Sequence, residues 1–99
     1  MATYRLLRVK HNREPIGFLS ASLMVEDSMM NRHWLLRLES PSTLDLFRDC
    51  LGTGNALSLS MLTRDGRAFR GEACVSSLSA GEDGPTLVAL AGIGPLLSS

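Results

Sequence analysis

Aromatic side chains are scarce in this chain: one Trp, one Tyr and three Phe make up 5% of its 99 residues. A core built on stacked rings is thereby excluded, and Leu, Val, Met and Ala have to supply it from the 44% of residues that are hydrophobic. Net charge is lacking too, because ten basic residues balance ten acidic ones. Proteins that neutralise nucleic-acid phosphates or sit on anionic lipid draw on a basic excess, so neither sequence-specific nucleic-acid binding nor a membrane partner is expected. The basic N-terminal residues Arg5, Arg8, Lys10 and Arg13 read as the solvated face of an edge strand. No apolar run approaches the roughly 20 residues of a membrane helix, and Met1-Ala2-Thr3-Tyr4-Arg5 has no apolar signal core. A cytoplasmic location is expected, or the virion if the chain is phage-derived.

Chemistry-bearing constellations are equally sparse. Cys50 and Cys74 have no metal-like spacing and no neighbouring Cys or His in sequence, so a reduced chain without a metal or other cofactor is expected. His11 and His33 are the only neutral-pH bases, and both read as surface bystanders. Cys50 follows Asp49 at the end of a short helix, where the dipole would raise a thiol pKa, and it reads as an apolar filler. Asp45 and Asp49 would share one helix face, but with Arg48 between them they read as solvated. Glu82-Asp83 falls short of a calcium loop. Gly52-Thr53-Gly54 and Gly92-Ile93-Gly94 lack the strand-loop-helix setting of a phosphate cradle. No serine has a supporting base. No catalytic residue is therefore expected, and an enzyme is not; a thiol enzyme using Cys50 or Cys74 ranks lowest among the readings.

What the chain does contain is alternation. The length fits a single domain, 1–99, with a thin margin of stability that oligomerisation would widen. A first strand is expected from Thr3 to His11, with imperfect alternation, then a turn at Asn12-Arg13-Glu14-Pro15. A second runs from Ile16 to Glu26 with both faces partly apolar and covered. A third runs from His33 to Glu39, placing Trp34, Leu36 and Leu38 inward. The segment Ser40 to Gly52 carries one helix, with Ser40 or Ser42 as its cap, Gly52 as its left-handed stop and Phe47 pressed against the sheet. A fourth strand, Ala56 to Thr63, meets a fifth, Ala68 to Leu78, through Asp65-Gly66, expected to form a two-residue type I′ turn. A sixth strand covers Thr86 to Ile93. The fold class is mainly β (α+β): a small six-stranded antiparallel β-barrel or sandwich with one short flanking helix, in the order β-β-β-α-β-β-β. Gly92 and Gly94 would let the last strand bend or be approached closely.

The last third of the chain carries a further pattern: Phe69-x-Gly71-x-Ala73-x-Val75-x-Ser77-Leu78-Ser79, a polar turn, Thr86, then Leu90-x-Gly92-x-Gly94-x-Leu96. It resembles the closing segment of long-tailed bacteriophage tail tube proteins, over about the last thirty residues. The resemblance implies a β-sandwich or barrel with a flanking helix, in copies that form a ring, usually hexameric, stacked into a tube around passing DNA. The chain departs from that family in being shorter, in showing no lumen charge bias, and in a Glu26 to Arg32 connection too brief for the long hairpin that links rings. A small tail, connector or prophage-remnant protein on the same barrel fits both sets of features. On this reading the chain self-associates through strand edges and a loop-tip surface of Met29, Met30, Arg32 and His33, giving a homo-oligomer such as a ring. The alternative is a small cytosolic β-barrel that binds a peptide or small ligand in its mouth or along an unpaired strand.

Overall fold

The structure, a computed structural model, describes residues 2–27, 32–79 and 85–98. Its elements are β1 (Ala2–His11), β2 (Glu14–Pro15), β3 (Ser20–Asp27), β4 (Arg32–Glu39), α1 (Leu44–Thr53), β5 (Leu57–Thr63), β6 (Ala68–Ser79), β7 (Leu87–Gly92) and β8 (Leu97–Ser98). Six antiparallel strands run in the order β1-β3-β4-β7-β6-β5, and β5 returns to β1 through the register Leu6↔Thr63 to His11↔Leu59. The sheet is thus a closed barrel, which removes most free edges. The expected order of six strands around one helix holds for the barrel, with β2 and β8 as additions on β1 and β6.

Alternation decides what lies inside. Leu23, Leu36 and Leu90 occupy consecutive register positions on β3, β4 and β7, and each is completely buried. Ala21, Val25, Trp34, Leu38, Val88, Leu57, Leu59 and Met61 complete the lining of their strands. At about 25 cal/mol per Å² of apolar surface, this filling is the main source of stability, and it leaves the barrel a packed core. β1 breaks the period with a register shift between Leu6 and Arg8, so Leu6 and Val9 both point inward while Leu7 is 55% exposed. A β-bulge is the physical reason for the imperfect alternation of this strand. Far from being an edge, β1 is the seam that closes the barrel, paired to β3 and β2 on one side and β5 on the other.

Several local expectations are corrected. Residues 16–19 break away before β3 begins at Ser20, leaving Leu19 71% exposed, so the second strand is not covered on both faces. Neither Ser40 nor Ser42 caps α1. Ser40 sits at φ 51°, and the Ser42 hydroxyl accepts the Gly17 N–H at 2.9 Å instead, so the N-cap falls to Thr43 without a side-chain hydrogen bond. The left-handed stop is Gly54, at φ 73°, whose N–H returns to the Cys50 carbonyl, while Gly52 lies within the helix. With weak capping and only ten residues, α1 depends on docking. Phe47, fully buried, and Cys50 provide it against β6, as the apolar stripe predicts, whereas Leu51 is half-exposed.

The type I′ turn expected at Asp65-Gly66 forms instead at the first hairpin. Asn12 and Arg13 both have positive φ, 48° and 73°, between the paired residues His11 and Glu14, which makes this the two-residue type I′ turn. At the β5–β6 turn only Gly66 is left-handed, at φ 92°. The Gly66 N–H reaches the Thr63 carbonyl and the Thr63 N–H reaches the Arg67 carbonyl, a type I turn followed by a left-handed glycine. Thr63 explains the choice: this residue is buried, and its hydroxyl donates to the Asp65 carboxylate and accepts the Arg67 N–H at 2.8 Å. That clamp holds Asp65 in the ordinary α-region.

Candidate assembly surface

The loop-tip surface expected from sequence is partly placed. Met29 and Met30 lie outside the described residues. Arg32 and His33 open β4, with His33 opposite Glu26 in the register and exposed. Beside His33 runs a shallow groove lined by Met24, Glu26, Trp34 and Leu35. It combines apolar walls with one carboxylate and one imidazole, which suits a peptide side chain better than a reaction.

Trp34 anchors the inner wall of that groove. Its indole crosses β7 at Gly92 and reaches β6 at Gly71, where an added Cβ would lie 2.8 Å from the ring. Its N–H donates to the Gly94 carbonyl at 3.0 Å. The glycines at 71, 92 and 94 therefore serve one side chain from the far half of the chain. Close approach is the role of Gly71 and Gly92, while Gly94 contributes its carbonyl.

Two strand stretches lack a strand partner on one side among the described residues. The β5 ladder on β6 stops at Leu57↔Ala73, so residues 74–79 have no ladder partner on that side among the described residues, while β7 pairs their other side. On β1 the β5 ladder begins at Leu6, and beyond the Arg64 N–H to Arg5 carbonyl bond the N-terminal residues 2–4 pair only with β3. These stretches flank opposite ends of β5. On the β6 side α1 packs against the strand, with Cys74 Sγ on the Gly54 carbonyl, so residues 2–4 of β1 are the stretch that presents backbone donors and acceptors to an added strand.

A further feature was not foreseen. Arg5, Ser22 and Arg37 hold consecutive register positions on β1, β3 and β4, and Arg64 joins Arg5 through its backbone. With Ser20 and Glu39 they surround a notch where the β1–β3 ladder ends and the two strands part. Glu39 accepts the Ser20 hydroxyl at 2.6 Å. The three guanidinium groups are exposed, and none is in ion-pair reach of a carboxylate among the described residues. Arg5 was legible in sequence only as part of a basic N-terminal stretch; Arg37 and Arg64 join it through registers that no local pattern encodes.

The remaining chemistry is modest. Cys50 and Cys74, far apart in sequence, meet at the seam of α1 and β6: Cys74 Sγ donates to the Gly54 carbonyl at 3.7 Å, and Gly54 caps the turn that ends on Cys50. Burial first, then the charge of Asp49 and the proximity of Cys74, push the Cys50 thiol pKa up. The rise agrees with expectation, though burial dominates its cause. Asp65 moves the other way, held below the usual carboxylate range chiefly by the Thr63 hydroxyl and further by Arg67. The described residues contain no group of three or more His, Cys, Asp or Glu placed to hold a metal ion. None of their helices is long and apolar enough to cross a membrane.

Comparison with protein-family models, with curated proteins and with solved structures finds no match to the chain in any of the three.

Proposed function

We propose that the chain is a non-enzymatic structural or assembly protein resembling phage or prophage tail tube or connector subunits, self-associating through strand edges into a homo-oligomer, with a ring as the expected form. The observation that carries this reading is the C-terminal segment. Its residues form one antiparallel ladder, β6 on β7, whose glycines accept Trp34 from β4, so the run that resembles tube proteins is a structural unit of the barrel. The N-terminal residues 2–4 of β1, laddered only to β3, offer the edge that association needs. A small domain with a thin margin of stability gains from burying such an edge. Such a subunit would work in the cytoplasm, or in the virion if phage-derived.

Light scattering coupled to size exclusion, from micromolar to millimolar protein, with negative-stain microscopy of the largest species, tests the proposal. Discrete rings or a defined oligomer are expected. A monomer at every concentration overturns it.

The groove beside His33 favours a second reading, a binding module for a peptide or small ligand. A monomer whose Trp34 fluorescence shifts on adding an apolar-basic peptide would support that reading.

A further inference from the structure

Around the closed barrel the strands follow β1-β3-β4-β7-β6-β5, so β3 and β6 stand three strands apart on opposite walls. The arginine notch is centred on Ser22 of β3. Helix α1 packs against β6. Its exposed residues Asp45 and Asp49, four apart, lie on one outer face, with Arg48 between them in sequence. A chain with no net charge thus carries a notch of three guanidinium groups beside Glu39 and, on a separate element, a helix bearing two exposed carboxylates with Arg48 next to them.

Apolar side chains accompany the cationic wall. Leu87 is the register partner of Glu39, and the Leu19 N–H donates to the Glu39 carbonyl; the two leucines are 50% and 71% exposed. Exposed leucines beside unpaired charges give a surface the anatomy of an interface, apolar contact rimmed by polar groups. Guanidinium groups recognise carboxylates through paired N–H donors, and Ser20 and Ser22 add hydroxyls to the notch.

We infer that the notch formed by Arg5, Arg37 and Arg64 is the docking site for the Asp45–Asp49 face of helix α1 from a second copy of this chain. This rests on the proposed self-association and specifies its geometry. Because the two surfaces are different patches, the contact is heterologous and repeats from copy to copy. Such contacts close into rings when the rotation closes, and otherwise continue as filaments. An open pair of copies would leave one notch and one helix unused.

Charge swapping provides the test. R5E/R37E and D45K/D49K alter only exposed positions, and far-UV circular dichroism checks that each variant folds. Each alone is expected to lose the oligomer in light scattering, and R5Q/R37Q, which removes charge without reversing it, is expected to weaken assembly about tenfold or more. An equimolar mixture of R5E/R37E and D45K/D49K is expected to assemble again, because each reversed notch meets a reversed helix. Raising NaCl from 50 to 500 mM should lower wild-type assembly. If both folded reversal variants assemble like wild type, the docking assignment falls while the structural reading stands. Loss in both variants without rescue in the mixture overturns the pairing of notch with helix. A wild-type chain that stays monomeric at millimolar concentration takes down the structural reading and the docking together.

Discussion

The indole of Trp34 occupies the space that a Cβ on Gly92 would need: a methyl there would fall inside the van der Waals envelope of Nε1 and Cε2. Gly92→Ala is therefore expected to push the ring out of its slot and break its hydrogen bond to Gly94, costing about 1–3 kcal/mol as overpacking does. Thermal unfolding should shift down, with a red-shifted Trp34 emission. An unchanged emission maximum and melting curve would show that the ring does not lie across β7.

Gly66 tests the β5–β6 turn at the same end of the barrel. Its φ of 92° is one that a β-branched residue rarely adopts, and an added Cβ meets no neighbour within 4 Å, so strain rather than crowding sets the cost. Gly66→Val should lose on the order of 1 kcal/mol or more. Arg13, at φ 73°, makes the reverse case, and Arg13→Gly should stabilise the first hairpin by about 0.5 kcal/mol. Opposite shifts in denaturant midpoint are the expected result; shifts of the same sign would refute the turn assignments.

The Thr63–Asp65 clamp predicts a pH dependence. The Asp65 pKa is lowered by folding, so its contribution is present above the unfolded-state pKa and is lost as pH falls through the folded value. Stability should therefore decline on the acid side, from about pH 4 downward. Thr63→Val removes the donor, so Asp65 should titrate closer to the ordinary carboxylate value and the acid slope should flatten. Carboxyl chemical shifts of Asp65 followed by NMR across pH 2–6 would read this directly; identical titration curves in both proteins would exclude the hydroxyl as the cause.

The thiols should differ in reactivity. Cys50 is buried and its pKa raised, while Cys74 is partly exposed. Iodoacetamide at pH 7.5 is expected to label Cys74 first and Cys50 only as α1 undocks, since the thiolate is the nucleophile. Phe47→Ala, which loosens the helix, should accelerate Cys50 labelling and cost about 3 kcal/mol or more. Peptide mass spectrometry over time separates the sites, and equal rates at both would contradict the docked helix.

Local patterns reached far into this fold. Alternation placed Trp34, Leu36, Leu38, Leu57, Leu59 and Met61 inside, and the helical stripe placed Phe47 against the sheet, because burial of one face is written into side-chain period. Patterns failed where a distant partner intervened. Ser42 was claimed by Gly17 before it could cap the helix, and Thr63 drew Asp65 out of the type I′ geometry that an Asp-Gly pair favours. The bulge that lets both Leu6 and Val9 face inward answers to the closing register with β5, a long-range constraint.

The same division holds for the candidate surfaces. His33 and Arg32 could be placed at a strand end from sequence because a hairpin tip is a local object. The arginine notch could not, since Arg5, Arg37 and Arg64 belong to three separate segments that only strand pairing aligns. By itself the sequence determined that the chain makes short amphipathic strands and one docked helix, since side-chain period and turn chemistry act over a few residues. The tertiary structure decided that the strands close into a barrel, that Trp34 fills the gap left by Gly71 and Gly92, and that arginines from three separate segments share one notch, because register and closure are set by packing between residues far apart in the chain.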